Sequence, residues 1–204
     1  MTEFCALLLA AGDSSRFGLD KRFVGSPPLL EQTLQSLYGV YQQIIVVHKH
    51  DDDLSSISIN SDCVTLVPHN KREDDSLGAS IAVGIDHILQ SYLTPSFCAI
   101  FLADMPYINY STIIELHNQC VSVQSSPSDK RCILRPAFNK TQGHPVIFSS
   151  HFFTLLSQLK ACDGARNVIK QNESNYVEVP VSDKGVITDI DTLETAKKLG
   201  LVVN

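Results

Sequence analysis

The chain alternates between short runs without a polar residue and longer stretches in which apolar positions return every three or four residues. Phe4–Leu9 and Phe97–Leu102 are apolar throughout, and residues 43–48 read Gln-Ile-Ile-Val-Val-His. Runs of this length with no in–out alternation predict strands covered on both faces, as in a parallel sheet. Residues 63–67 predict a shorter strand stopped by Pro68, and residues 131–136 and 143–148 predict two later ones. Leu30, Leu34 and Leu37 place a helix over about residues 28–38, with Pro27-Pro28 suited to its first turn. Ile81, Ile85, Ile88 and Leu89 mark a second helix, and residues 113–121 a third, entered through Ser111 as N-cap. Phe152, Leu155, Leu156 and Leu159 mark a fourth, and Asp163-Gly164-Ala165-Arg166 opens a short fifth. Leu193, Ala196 and Leu199 edge the last, with Thr192 or Asp191 near its cap. Residues 123–130 read as a loop without chemistry. Strands and helices in this order need parallel crossovers, so the expected fold is a three-layer α/β/α sandwich. A chain of 204 residues suits one such domain, 1–204.

Composition narrows the function classes. With 44% hydrophobic and 19% charged residues and no low-complexity tract, the chain is not a disordered one. A net charge of −6 argues against a general nucleic-acid binder, which needs a basic face. An acidic protein that handles polyphosphates must instead concentrate its cations in one place, and Arg16, Lys21 and Arg22 form such a cluster. The six cysteines include no C-x-x-C pair and lie mostly in or beside apolar runs, which predicts buried free thiols in a reducing compartment. No basic leader and no bilayer-length apolar segment is present, so the expectation is a soluble cytoplasmic protein with no membrane partner.

The first apolar run leads straight into Leu9-Ala10-Ala11-Gly12-Asp13-Ser14-Ser15-Arg16-Phe17-Gly18-Leu19-Asp20-Lys21. Glycines let a ligand approach the backbone, successive amides can cradle an anion, and Arg16 and Lys21 add fixed positive charge. These are the parts of a nucleoside triphosphate site. The dinucleotide fingerprint fails because no G-x-G-x-x-G is present, and the Walker loop fails because Lys21 is followed by Arg22 and not by Ser or Thr. Asp51-Asp52-Asp53 reads as a capped turn and not as a metal site. Asp104, directly after an apolar strand, is placed to hold Mg²⁺ against phosphate oxygens or to cap a turn. His144 is either a loop residue bonded to backbone or a substrate contact. Arg166 either binds an anionic ligand through its fork of donors or pairs with Asp163. No serine and histidine stand at a hydrolase spacing.

L-A-A-G-x-S-x-R-x-G-x-x-K resembles the signature of the nucleotidyltransferases related to the molybdenum cofactor cytidylyltransferases and molybdopterin-guanine dinucleotide synthases. The likeness continues in Leu77-x-x-Ser80, in Asp104-Met105-Pro106, in Gly143-His144-Pro145 with Asp163-Gly164-Ala165-Arg166, and in Asp189-x-Asp191-Thr192. Ser76 stands where the family usually has glycine, and the stretch after Lys21 is shorter than in typical relatives, with Arg22-Phe23 replacing an apolar pair. The resemblance implies a mostly parallel, Rossmann-like sheet of the nucleotide-diphospho-sugar transferase type, with one strand running against the rest. It also implies CMP transfer from CTP to a phosphorylated pterin of the molybdopterin type, with Mg²⁺ held by Asp104 and Asp191 and Asp189 in support. Arg16, Lys21 and Asp104 would be catalytic. Leu9, Ala10, Ala11, Gly12, Ser14, Arg16, Lys21 and Ser80 would bind the nucleotide, and Gly143, His144, Pro145, Asp163 and Arg166 the acceptor. Guanylyltransferases usually carry two glycines where this chain has Ala11-Gly12, so the Ala11 methyl is expected to crowd a purine at the pocket floor. A molybdoenzyme or its chaperone would receive the product. The alternatives are GMP transfer, a sugar-phosphate acceptor, or a non-catalytic nucleotide-binding relative.

Overall fold

The computed structural model describes residues 3–13, 17–70, 76–91, 94–124, 131–160 and 164–201. The first four strands are β1 (Phe4–Leu9), β2 (Ile44–Lys49), β3 (Val64–His69) and β4 (Phe97–Leu102). Four more follow: β5 (Ile133–Phe138), β6 (Thr141–Gln142), β7 (Val146–Ser149) and β8 (Tyr176–Pro180). They form one mixed sheet in the order β3-β2-β1-β4-β7-β5-β6, with β8 also on β5. β1, β2, β3 and β4 are mutually parallel, and β8 is parallel to β5. β7 runs against both β4 and β5, and the two-residue β6 against β5. Among the described residues two strands, β6 and β7, and not one, therefore oppose the rest.

Among the described residues the α-helices are α1 (Leu29–Leu37), α2 (Leu77–Gln90), α3 (Tyr110–Gln124), α4 (Phe153–Ser157), α5 (Ala165–Gln171) and α6 (Leu193–Lys198). The two faces of the sheet explain why its central strands are apolar at every position. Ala6, Leu8, Val46, Ala99 and Phe101 pack with Leu30, Leu34 and Leu37 of α1 and Ile113 and Leu116 of α3. Leu7, Ile45, Val47, Cys98 and Ile100 pack on the other side with Ile81, Ile85 and Ile88 of α2 and Phe153 and Leu156 of α4. Gly84 lets α2 close on β1, because a Cβ there would lie 2.3 Å from Leu7 Cδ1. A third small cluster joins Phe17, Leu29, Ile190 and Ala196. Its packing brings the end of the chain over the first loop.

Several boundaries differ from the sequence expectation. Pro68 lies inside β3, which an edge strand tolerates because one side of its backbone has no neighbour to donate to. Ser111 is inside α3 and does not cap it. The carboxylate of Asp183, 71 residues on from Thr112, accepts from Asn109 N–H and the Thr112 hydroxyl and so holds the helix start. That helix also takes in residues 123 and 124. β8 lies outside the expected strands, although its alternating Tyr-Val-Glu-Val-Pro is the pattern of a strand with one face in water. The described cysteines are free thiols. Among the described residues no helix is long and apolar enough to cross a membrane.

Candidate active site

Because β1, β2 and β4 are parallel, their carboxyl ends open on one edge of the sheet, where ligands of open α/β sheets bind. A cavity of about 220 Å³ lies there, bounded by Leu9, Ala10, Gly12, Lys21, Ser80 and Asp104 among others. At its side Lys21 Nζ donates to Asp104 Oδ2 at 2.6 Å and to Asp191 Oδ1 at 2.7 Å. The 170-residue separation of Lys21 and Asp191 is closed by Ile190 N–H, which donates to the Asp104 carbonyl at 3.0 Å. Thr192 caps α6 by accepting from Thr195 N–H, so the capping role expected near Asp191 falls to Thr192. Burial alone would lower the Lys21 ammonium pKa. Hydrogen bonds and charge from Asp104 and Asp191 outweigh it and raise that pKa. The Asp189 carboxyl is pushed up by burial and then by the charges of Asp191 and Asp104. Asp104 Oδ1 is buried and has no hydrogen-bond partner among the described residues. No group of three or more His, Cys, Asp or Glu side chains gathers as a metal cage among them.

Arg22 does not join Lys21 in a solvent-facing cation cluster. It is 4% exposed, in the one-turn 3₁₀ helix Lys21–Phe23, and its charge is spent on Asp20 and Asp52. Asp52 also accepts from Lys49 N–H at 2.8 Å, and Asp53 from Ser55 N–H at 2.9 Å. The acidic triplet is thus a turn, as expected, but with a buried ion pair inside it. Lys49 Nζ lies 3.0 Å from Asp13 Oδ1 and ties the first loop to the end of β2.

The other predicted nucleotide contacts divide. Ser80 is buried at the cavity, and its hydroxyl donates to the Ser76 carbonyl at 3.3 Å. Ser76 caps α2 through Ala79 N–H. The Ala11 methyl sits in the apolar cluster of α2 and β1 and not on the cavity wall, because alternation along the strand extension turns it to that face. It does not crowd the pocket floor as expected. Ser14 and Arg16 lie outside the described residues, as does Asp163.

On the acceptor side, Gly143 N–H donates to the Pro136 carbonyl and His144 N–H to that of Val186, both at 2.8 Å. A Cβ at Gly143 would lie 2.2 Å from Val186 O, so only glycine fits. Pro145 leads into β7. His144 Nδ1 is 3.5 Å from the Ile100 carbonyl of β4. Burial, then the nearby Arg135 charge, pushes the imidazole pKa down to about 4, so it is neutral at pH 7. Arg166 is not beside it. It lines a separate open cavity with Arg135, Gln142, Lys170 and Tyr176. Sequence reasoning missed Arg135, whose Nε donates to the Gly143 carbonyl at 2.9 Å and whose Nη1 donates to Gln142 Oε1 at 3.0 Å. Its signal was a lone guanidinium within the strand Ile-Leu-Arg-Pro-Ala-Phe. Burial and the like charge of Arg166 lower its pKa.

A glycine loop at a strand end, and a lysine shared by two carboxylates beside a cavity, define an α/β protein of the nucleotide-transferring type. The chain belongs to the MobA-like NTP transferase domain family, whose profile matches residues 6–176. Rv0371c of Mycobacterium tuberculosis is similar in fold, at 20% identity and a TM-score of 0.75 over 97% of each chain, and has also been solved as a manganese complex. Molybdopterin-guanine dinucleotide biosynthesis protein A of Archaeoglobus fulgidus is 18% identical, with a TM-score of 0.67 over 95% of each chain. The 4-diphosphocytidyl-2C-methyl-D-erythritol synthase of Anaerococcus prevotii is 14% identical, with a TM-score of 0.68 over 97% of this chain and 96% of that one. No curated protein matches the chain by sequence.

Proposed function

We propose that the protein transfers CMP from CTP to the phosphate of a molybdopterin-type acceptor and releases pyrophosphate. The observation that carries this reading is the ammonium of Lys21 held between Asp104 and Asp191 at the mouth of the cavity. An acceptor phosphate oxygen attacks the α-phosphorus, the bond to the bridging oxygen breaks, and the electron pair leaves with pyrophosphate. A phosphate monoester is largely ionised at pH 7, its second pKa being about 6, so no general base is required. Positioning and charge neutralisation then account for the rate.

Lys21 and Arg16 hold the triphosphate. Leu9, Ala10, Gly12, Ser14 and Ser80 surround the nucleoside, with Ala11 contributing its backbone alone. Gly143, His144, Pro145, Asp163 and Arg166 face the acceptor, and Arg135 supports them. Asp104 and Asp191 fit a Mg²⁺ ion: they already share one cation, and the buried Asp104 Oδ1 has a lone pair unused among the described residues. When bound, the ion neutralises charge on the triphosphate and on the leaving pyrophosphate. The reading puts the reaction in the cytoplasm and has a molybdoenzyme or its chaperone take the product.

One observation favours a second reading, GMP transfer from GTP. Because the Ala11 methyl is in the core, it does not bar a purine. Pyrophosphate release over the four triphosphates, with and without molybdopterin, tests both. Release that needs CTP and molybdopterin supports the first reading, and release with GTP the second. Release with a sugar phosphate alone overturns both.

A further inference from the structure

We propose that Arg22 is a positioning residue that sets nucleobase specificity by locking the peptide between Ala10 and Ala11 in one orientation. This rests on the nucleotide reading above. A guanidinium has five N–H donors, and all five of Arg22 have an acceptor. Nε donates to Asp20 Oδ1 at 2.8 Å, and Nη2 to Asp20 Oδ2 and, at 2.7 Å, to Asp52 Oδ1. Nη1 donates to Asp52 Oδ2 and, at 2.7 Å, to the carbonyl oxygen of Ala10. Two edges of the fork are thus held by two carboxylates, and the remaining hydrogen is aimed at one backbone oxygen. With every donor taken, the side chain has nothing left to offer a phosphate.

The ties reach three parts of the nucleotide site. Asp20 precedes Lys21 and caps its turn by accepting from Arg22 N–H at 3.2 Å. Asp52 belongs to the turn after β2, where it also accepts from Lys49 N–H. Ala10 borders the cavity, and its own N–H donates to Val47 O at 2.8 Å. A trans peptide is planar, with its carbonyl and the following N–H antiparallel. Holding Ala10 C=O on Arg22 therefore turns Ala11 N–H to the opposite side, and that N–H has no hydrogen-bond partner among the described residues. The lock thus fixes which way this peptide faces, and Ala10, on the same peptide, borders the cavity.

A fixed donor discriminates between bases. Cytosine offers an acceptor at N3 where uracil has N–H, and guanine accepts at O6 where adenine donates from its amino group. Lysine cannot replace Arg22, because a point charge with three donors cannot span two carboxylates and a carbonyl. Freed from that hold, the peptide can turn over and offer the carbonyl to uracil or adenine instead.

The test is calorimetric titration of the wild type, Arg22→Lys and Asp52→Asn with CTP, UTP, GTP and ATP in the presence of Mg²⁺, alongside circular dichroism melts. The wild type should prefer CTP to UTP or GTP to ATP. Both variants should narrow that ratio by about tenfold, while binding the two bases more alike. Should Arg22→Lys fail to fold, Asp52→Asn carries the test, since the amide keeps the shape and one acceptor. Wild-type binding of none of the four overturns the nucleotide reading itself. Wild-type discrimination that survives in a folded variant, with only a lower melting temperature, overturns the inference alone and leaves Arg22 a strut.

Discussion

Lys21 and Arg22, adjacent in the chain, have their charges answered by carboxylates, whereas Arg135 and Arg166 border one cavity with no ion-pair partner among the described residues. On the proposed reading the first pair belongs to the nucleotide half of the site and the second to the acceptor half. The difference sets how each half would meet a ligand. Around Lys21 a triphosphate must exchange one set of ion pairs for another, so affinity there is a difference between two favourable states. Around Arg135, whose pKa is lowered by burial and then by the charge of Arg166, an anion would supply an ion-pair partner that the described side chains do not. A cation helps the first half and an anion the second.

Asp104→Asn breaks the nucleotide half most completely. The amide is isosteric and the strand end keeps its backbone, so the fold should survive, while turnover at saturating CTP and Mg²⁺ falls about a thousandfold. Steady-state pyrophosphate release checks it, and near-normal Mg²⁺-dependent turnover would remove Asp104 from the site.

Lys21→Ala separates the two cation roles. Losing a charge-assisted bond to the triphosphate should weaken CTP by about 1.5–3 kcal/mol. The same change leaves Asp104 and Asp191 without their shared ammonium, so Mn²⁺ should bind more tightly than in the wild type when nucleotide is absent. Calorimetry reads the first effect and electron paramagnetic resonance the second. Unchanged Mn²⁺ affinity would mean that the lysine and the metal do not compete for the carboxylates.

Arg166→Ala probes the acceptor half and should do less, because the side chain is exposed and solvent screens its charge. Acceptor affinity should fall about threefold to tenfold, with CTP affinity and melting temperature unchanged. Loss of both affinities in parallel with a lower melting point would make α5 scaffold.

The contrast was only half visible in the sequence. Asp104 and the loop from Leu9 to Lys21 were legible because each directly follows an apolar strand, and strand ends decide position locally. Asp191 was legible from its motif, but its freedom from capping depended on Thr192 taking that role. Arg22 misled, since its partner Asp52 lies 30 residues away in a triplet that composition assigns to a turn. Ala11 misled through alternation, where a single step along the backbone separates the cavity wall from the core. Arg135 and Asp183 act on residues such as Gly143 and Thr112 through packing that no local pattern records.

The smallest expected effect, and the one that tests the acceptor half without any ligand, is a pH dependence of stability. His144 has an ordinary pKa of 6.5 in the unfolded chain and about 4 in the fold, chiefly because burial disfavours its charged form. Between those values the unfolded chain binds a proton that the folded one does not. Stability is therefore fully present above pH 6.5 and is lost as the pH falls through the window. Over the single unit from pH 6.5 to 5.5 the loss is about 1 kcal/mol. His117 is depressed to about 4 by burial as well and adds to the slope in the same direction, away from the site. Melting curves of His144→Asn and His117→Asn at both pH values separate the two contributions. Each variant should lose about half of the wild-type slope. A His144→Asn slope equal to that of the wild type would mean that the imidazole is open to water and protonates freely in the fold.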